Sequence, residues 1–347
     1  MGSTGSGERM IPMQYALRRR MMNRIPQLFY YGLAPELSVK RHTPAATTVG
    51  NYALFAGGYY SGYQSTVDAY DTSLTRTTPT ALSAARVYLV ATTVGNYALF
   101  GGGQDRNTCF STVDAYDTSL TRTIPTALSE ARIYLAATTV GNYALFGGGV
   151  YSSYQSTVDA YDTSLTRTTP TALSVARYLL AATTVGNYAL FGGGHNGKNY
   201  VSTVDAYDTS LTRTTPTALS VARDYLAATA VGNYALFGGG YNGTDRFSTV
   251  DAYDTSLTRT TPTALSVARA SFATTVGNYA LFGGGYNGTN PLSTVDAYDT
   301  SLTRTTPTAL SKARDNLSAT TVGNYALFGG GQDGIHCLST VDAYQVK

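Results

Sequence analysis

Gly95-Asn-Tyr-Ala-Leu-Phe-Gly-Gly-Gly103, followed after a short loop by Ser111-Thr-Val-Asp-Ala-Tyr-Asp-Thr-Ser119, decides the fold, because the chain repeats it with little change. The Gly-Asn-Tyr-Ala-Leu-Phe block begins at Gly50, Gly95, Gly141, Gly186, Gly232, Gly277 and Gly323, a spacing of 45 or 46 residues. The Ser-Thr-Val-Asp-Ala-Tyr block begins at Ser65, Ser111, Ser156, Ser202, Ser248, Ser293 and Ser339. A period in the mid-forties belongs to a solenoid or propeller, whose units bury their apolar faces only against neighbours.

Each unit reads as four short strands. Leu89-Val-Ala-Thr-Thr-Val94 is small and β-branched, and Gly95-Asn96 is a tight-turn pair. Tyr97–Phe100 runs into three glycines, and Ser111–Tyr116 follows the loop. Asp117-Thr-Ser119 is a polar turn, after which Arg122-Thr-Ile-Pro-Thr126 makes a fourth strand; its proline cannot donate to a ladder and belongs on an outer edge. The small residues of the first strand suit the crowded axis of a ring. The seventh unit stops at Lys347 without its Arg-Thr-Thr-Pro element, while Leu37-Ser-Val-Lys-Arg41 near the N-terminus matches Leu219-Ser-Val-Ala-Arg223. Phe29–Leu33 is therefore predicted to supply the last fourth strand and to close the ring. The expected architecture is an all-β, seven-bladed propeller over residues 28–347, with four antiparallel strands per blade, preceded by a tail at 1–27.

Charge is sparse, at 13% of residues and +3 net. Residues 1–45 hold +5 of it, so the propeller body is at −2 and offers no phosphate-binding surface; nucleic acid is not an expected partner. No apolar run reaches the roughly 20 residues of a membrane span, and Arg18–Arg20 lead into Met21, Met22 and Asn23 without the apolar core of a secretory signal. A cytoplasmic location is the default expectation. Met1–Glu8 reads as an expression remnant with Met10 as a candidate start, and residues 10–24 as either a short amphipathic helix or a frayed basic tail. Cys109 and Cys337 occupy equivalent places in units two and seven, which are not sequence neighbours, so no disulfide is expected.

The units resemble the kelch repeat on three features: the paired glycines (Gly102-Gly103), the Tyr-Asp pair (Tyr116-Asp117) and the stretch from Ile124-Pro125 to Arg132. The resemblance covers about 300 residues. It departs from the family in having no tryptophan; Arg76, Arg122, Arg167, Arg213, Arg259 and Arg304 stand near that place in the fourth strand. It implies a propeller that binds proteins or peptides through the loop after the second strand and the link between blades.

Those two segments are where the copies disagree. The second loops start Tyr59-Tyr60, Gln104-Asp105, Val150-Tyr151, His195-Asn196, Tyr241-Asn242, Tyr286-Asn287 and Gln332-Asp333. The links carry His42-Thr43, Val87-Tyr88, Ile133-Tyr134, Tyr178-Leu179, Asp224-Tyr225, Ala270-Ser271 and Asp315-Asn316. Strand direction reverses at every turn, so both segments fall on one face while the constant Val-Gly-Asn-Tyr and Asp-Thr-Ser-Leu turns share the other. Tyrosine with short polar residues is the chemistry of evolved paratopes. Exposed loops also drift, but drift is expected to touch the Asp-Thr-Ser-Leu turn as well. The link pairs of units two to seven contain only residues encodable by pyrimidine-ending codons, a pattern that resembles targeted diversification, although Gln104, Lys198 and Gln332 in the second loops do not follow it.

The reading is a monomeric, non-enzymatic recognition scaffold for a protein, peptide or surface glycan, without cofactor or metal. Two alternatives stand beside it: a consensus-built or recently amplified repeat with no evolved target, and a propeller enzyme like the copper oxidase that the kelch resemblance offers as precedent. The latter would have to use His42, His195 and His336 with Cys109 and Cys337, which come from distant units. The arginines Arg41, Arg86, Arg132, Arg177, Arg223, Arg269 and Arg314 are expected to tie blades together, since a residue repeated in every unit has no special environment.

Overall fold

The computed structural model describes residues 27–347; the segment 1–26, with the amphipathic-helix and expression-remnant readings, lies outside them. Seven four-stranded antiparallel sheets form a closed ring. Blade two shows the plan with strands Val90–Val94, Tyr97–Gly101, Val113–Asp117 and Arg122–Thr123. Its first hairpin pairs Val94 with Tyr97, and Gly95 takes φ +52°, a conformation costly to a side chain. The first strands lie innermost, each beside the first strand of both neighbouring blades, including blade seven against blade one.

Blade seven combines Ser318–Val322, Tyr325–Gly329 and Val341–Val346 with the N-terminal strand Leu28–Ala34. Leu28 pairs with Val346 and Ala34 with Val341, with a bulge between Tyr30 and Gly32. Gln27 and Lys347 exchange backbone hydrogen bonds and extend this ladder to the last residue. Each chain end thus covers an edge that the other would expose.

The ordinary fourth strand is shorter than its sequence suggests. Only Arg122 and Thr123 pair, with Tyr116 and Ala115; Pro125 lies beyond the strand. The chain leaves the sheet there to carry Leu128 into the neighbouring interface, where Leu128 N donates to Ser111 O at 2.8 Å.

The core is made between blades. Leu99, Val113 and Ala115 of blade two pack with Ala144, Phe146 and Tyr161 of blade three, and the other interfaces repeat this cluster. Phe146 and Tyr161 meet edge-on at 5.8 Å, and the Tyr161 hydroxyl donates to Thr126 O in the link at 2.8 Å. Two glycines of the triplet are crowded by the next blade and the third by its own link: a Cβ on Gly102 would stand 2.6 Å from Arg132 O, one on Gly101 2.8 Å from the Phe146 ring, and one on Gly103 2.9 Å from Val87 O. Blade one carries Ala56 at the Gly101 position, in one cluster with Phe100 of the next blade; Gly102 and Gly103, at φ +70° and +99°, hold a conformation that disfavours any side chain.

The repeated arginines are structural. Arg132 is wholly buried, and its Nη2 donates to Phe146 O at 3.1 Å and to the equally buried Asp159. Arg167 from the fourth strand reaches the other oxygen of Asp159 at 2.7 Å, and Ser129 N donates to it at 3.1 Å. Burial pulls the Arg132 guanidinium below its usual value while the Asp159 charge pushes it back up. The Arg132 backbone carbonyl meanwhile accepts from Gly103 N of the preceding blade at 3.0 Å. One residue therefore holds two blades, backbone on one and side chain on the next. In blade seven Tyr30 replaces the second arginine, donating to Asp342 at 2.7 Å, and burial with the Asp342 charge pushes its pKa up to about 12.

Paired threonines line the axis. Thr47 bonds Thr93 at 2.9 Å, Thr138 bonds Thr184 at 2.9 Å, and Thr93 and Thr139 also donate to Thr48 O and Thr93 O. The same two bonds recur around the ring except between blades four and five, where Ala230 stands in place of threonine opposite Thr183. We predict that Ala230→Thr completes the ring and stabilises the fold by about 1 kcal/mol. Thermal unfolding checks this, and an unchanged or lower midpoint contradicts it. Asp159→Ala leaves Arg132 as an unpaired charge in the interior and takes a partner from the half-buried Arg167; it is expected to cost about 3–5 kcal/mol in urea unfolding.

Candidate ligand-binding face

The two variable segments of each blade are joined by main-chain bonds. His42 N donates to Tyr59 O at 3.1 Å and Tyr59 N to His42 O at 3.0 Å. Val87 with Gln104, Ile133 with Val150, Tyr178 with His195, Asp224 with Tyr241, and Asp315 with Gln332 make the same antiparallel bridge. In blade six the contact is absorbed into longer strands, Ala270–Val276 and Tyr279–Tyr286, which pair Ala270 with Tyr286. All the diversified pairs therefore share one face, as the alternation of turns requires.

In six of the seven blades the second residue of the link points to the axis, and Ser271 borders the same space in blade six. Thr43, Tyr88, Tyr134, Leu179, Tyr225, Ser271 and Asn316 all line one cavity of about 650 Å³ at the mouth of the ring. All but Ser271 hold φ between +50° and +59°, a left-handed conformation that costs a non-glycine residue of order 1 kcal/mol. Neighbouring links support it: Leu179 N donates to Tyr134 O at 3.0 Å and Thr43 N to Asn316 O at 2.6 Å. Left-handed residues also occur at Leu120 and its copies in the constant turn, so the conformation alone does not mark the binding face.

Blade six departs because its link is one residue shorter: seven steps lead from Arg269 to Val276, against eight from Arg86 to Val94. Elsewhere the third residue after the arginine, a leucine except for Pro44 in blade one, packs over the preceding blade's glycine, as Leu135 does at Gly102. In blade six Ser271 takes that place, its Oγ packed toward Gly239. Phe272, at the position of Val90 in blade two, joins the cavity wall.

A third row of side chains was missed in the sequence. Tyr63, Cys109, Tyr154, Tyr200, Arg246, Pro291 and Cys337 each bridge back to the first residue of their own second loop. The signal was available: each stands two residues before the constant Ser-Thr-Val-Asp block. Unequal loop lengths hide the correspondence when the loops are read forwards.

These rows form a nearly continuous aromatic arc. Tyr88 and Tyr134 lie 4.5 Å apart, Tyr154 stacks on Tyr178 at 5.4 Å, and Tyr178, His195, Tyr200 and Tyr241 follow edge to face. The Arg246 guanidinium covers Tyr241 at 4.2 Å and Tyr286 at 5.5 Å. In blade one Tyr59 contacts Tyr63 and Lys40 lies 4.6 Å from the Tyr60 ring, lowering the Tyr60 pKa. Tyr134 is driven well above the ordinary tyrosine value by burial and by Tyr88 beside it. Tyr151 stands free at the rim, 59% exposed.

The second residues of the longer loops do a different job. Asp105, Asn196, Asn242, Asn287 and Asp333 each accept hydrogen bonds from backbone N–H groups two and three residues on, as when Asn196 Oδ1 takes Asn199 N at 2.8 Å. They shape the loops that present the aromatic row.

The opposite face corrects one expectation. The Asp-Thr-Ser-Leu turn is not a free surface against which loop drift can be judged. Asp117 Oδ1 accepts from Ser119 N and Thr121 N, and Thr118 abuts Gly50 of the preceding blade, where a Cβ would meet its methyl at 3.0 Å. Its constancy has a packing cause.

Cys109 and Cys337 are both free thiols. Among the described residues no group of three or more His, Cys, Asp or Glu is arranged to hold a metal ion, and His336 sits exposed beside Asp333. No described helix is long and apolar enough to cross a membrane. No protein-family profile and no curated protein matches the chain. Its class is set by its fold, a seven-bladed β-propeller of near-identical repeats.

Asp224 is 4% exposed, its Oδ1 has no hydrogen-bond partner among the described residues, and burial raises its pKa to about 7 against the pull of Arg246. The folded state then holds a proton that the unfolded chain releases near pH 4, so this group erodes stability as pH rises from about 4 to 7. Asp224→Asn should therefore raise the melting temperature increasingly over that window and level off above it. A difference independent of pH would contradict this.

Proposed function

We propose that this propeller is a non-enzymatic, kelch-type recognition protein that binds a protein, peptide or surface glycan at the mouth of its ring. One observation carries the reading: the second link residue of all seven blades, each diversified, converges on a single cavity. Its volume suits a side chain or a few sugar rings. Tyrosines at its wall offer large amphipathic area at small entropic cost, and the flanking Asn and Asp hold the loops in place before a ligand arrives. Main-chain bridges carry the variable segments, so side chains there can change without loss of the frame. That tolerance is what a diversification process needs, and it supports the reading of the link pairs as targeted positions.

A ligand screen on displayed peptides and a glycan array tests the reading. The native protein is compared with one carrying Tyr59, Tyr88, Tyr134, Tyr151, Tyr225 and Tyr241 changed to Ala. The multiple variant is expected to lose at least tenfold in affinity while keeping its far-ultraviolet spectrum; equal binding by both sinks the proposed face.

A further inference from the structure

The cavity is chemically lopsided. On the side of blades two to five its wall is aromatic and aliphatic, from Tyr88, Tyr134, Leu179 and Tyr225. On the side of blades six and seven it is lined by Ser271, Asp315 and Asn316, with Phe272 beside them. Ser271 is 6% exposed, with its Oγ packed toward Gly239 of the preceding blade. Asp315 is half-buried; its Oδ2 takes a 3.3 Å bond from Asn316 Nδ2 and its carboxyl a bond from the Gln332 side chain, while its Oδ1 atom has no hydrogen-bond partner among the described residues. A buried acceptor of this kind is costly unless a donor reaches it.

The cavity's two carboxylate neighbours differ in their compensation. Asp224 feels the positive charge of Arg246, whose guanidinium is itself engaged over Tyr241 and Tyr286. Asp315 forms no ion pair among the described residues, and no cation offsets the burial that pushes its carboxyl upward. The preceding Arg314 is spent on Asp342 at 2.6 Å.

We propose that the Asp315 side of the cavity takes the basic side chain of a peptide ligand, its N–H donors meeting the Asp315 carboxylate while a neighbouring apolar residue lies on the tyrosine wall. This deepens the binding reading above and rests on it. A lysine or arginine fits because its apolar stem can lie along Phe272 while its charged end reaches the Asp315 carboxylate. A neutral ligand would cover the carboxylate and leave it unpaired, a penalty that selects against it.

The test pans a random dodecapeptide phage library against the native protein, then measures the synthesised winners by calorimetry. Winners displaced by the Tyr134→Ala, Tyr225→Ala double variant are expected to be enriched in Lys or Arg over the input library. Their affinity is expected to fall at least tenfold on Asp315→Asn. Replacing the basic residue of the peptide by norleucine should give a similar loss, a comparison that needs no change to the protein. Cavity-dependent winners without basic enrichment, or insensitive to both changes, overturn this inference and leave the binding reading standing. Failure to obtain any winner that depends on Tyr134 and Tyr225 overturns both.

Discussion

An aspartate with no access to water stands in the third strand of every blade, and its need for partners governs how the blades stack. Asp68 is met by Arg41 at 2.7 Å, by Arg76 at 2.8 Å and by Ser38 N at 3.0 Å. Arg41 and Ser38 arrive from the link that enters the blade, and Arg76 from the fourth strand. A buried ion pair of this kind adds little net stability over an apolar substitute, but it penalises every arrangement that leaves one member unpaired. The link must therefore cross at one place, and the arginine backbone must sit where the preceding blade's glycine N–H can reach its carbonyl. Blade two shows how much latitude exists: Arg122 lies 3.7 Å from Asp114 and turns instead to Ala81 O at 2.7 Å.

From that constraint follows the division of the molecule into a fixed face and a free one. On the fixed face, glycine turns of one blade receive threonines of the next, and side chains themselves make the contact. On the free face the segments beyond the arginine are held through main-chain N–H and C=O groups, which are the same whatever residue bears them. Variation concentrates where the side chain is not needed for assembly. Blade six marks the limit: its link is one residue shorter, Ser271 takes the place of the leucine against the glycines, and the local pairing changes.

The ring, its blade count, its closure by the N-terminal strand and the gathering of variable residues on one rim were all legible in the sequence. Period, turn residues and the missing fourth strand after Gln345 depend on local chemistry and on parity, neither of which needs coordinates. The structural role of the arginine ring was legible for the same reason, because seven equal copies have no single special site. What only the tertiary structure decided depends on distances between blades. It shortened the fourth strand, assigned the constant turn to packing, and brought Tyr63, Tyr154, Tyr200 and Arg246 into the aromatic arc despite unequal loops. It also separated the two residues of the links, tying the first to a loop and, outside blade six, turning the second into the cavity, and it left an oxygen unpaired on the buried Asp224 and the half-buried Asp315. Those outcomes follow from where neighbouring blades place their atoms, and a repeat read singly contains none of its neighbours.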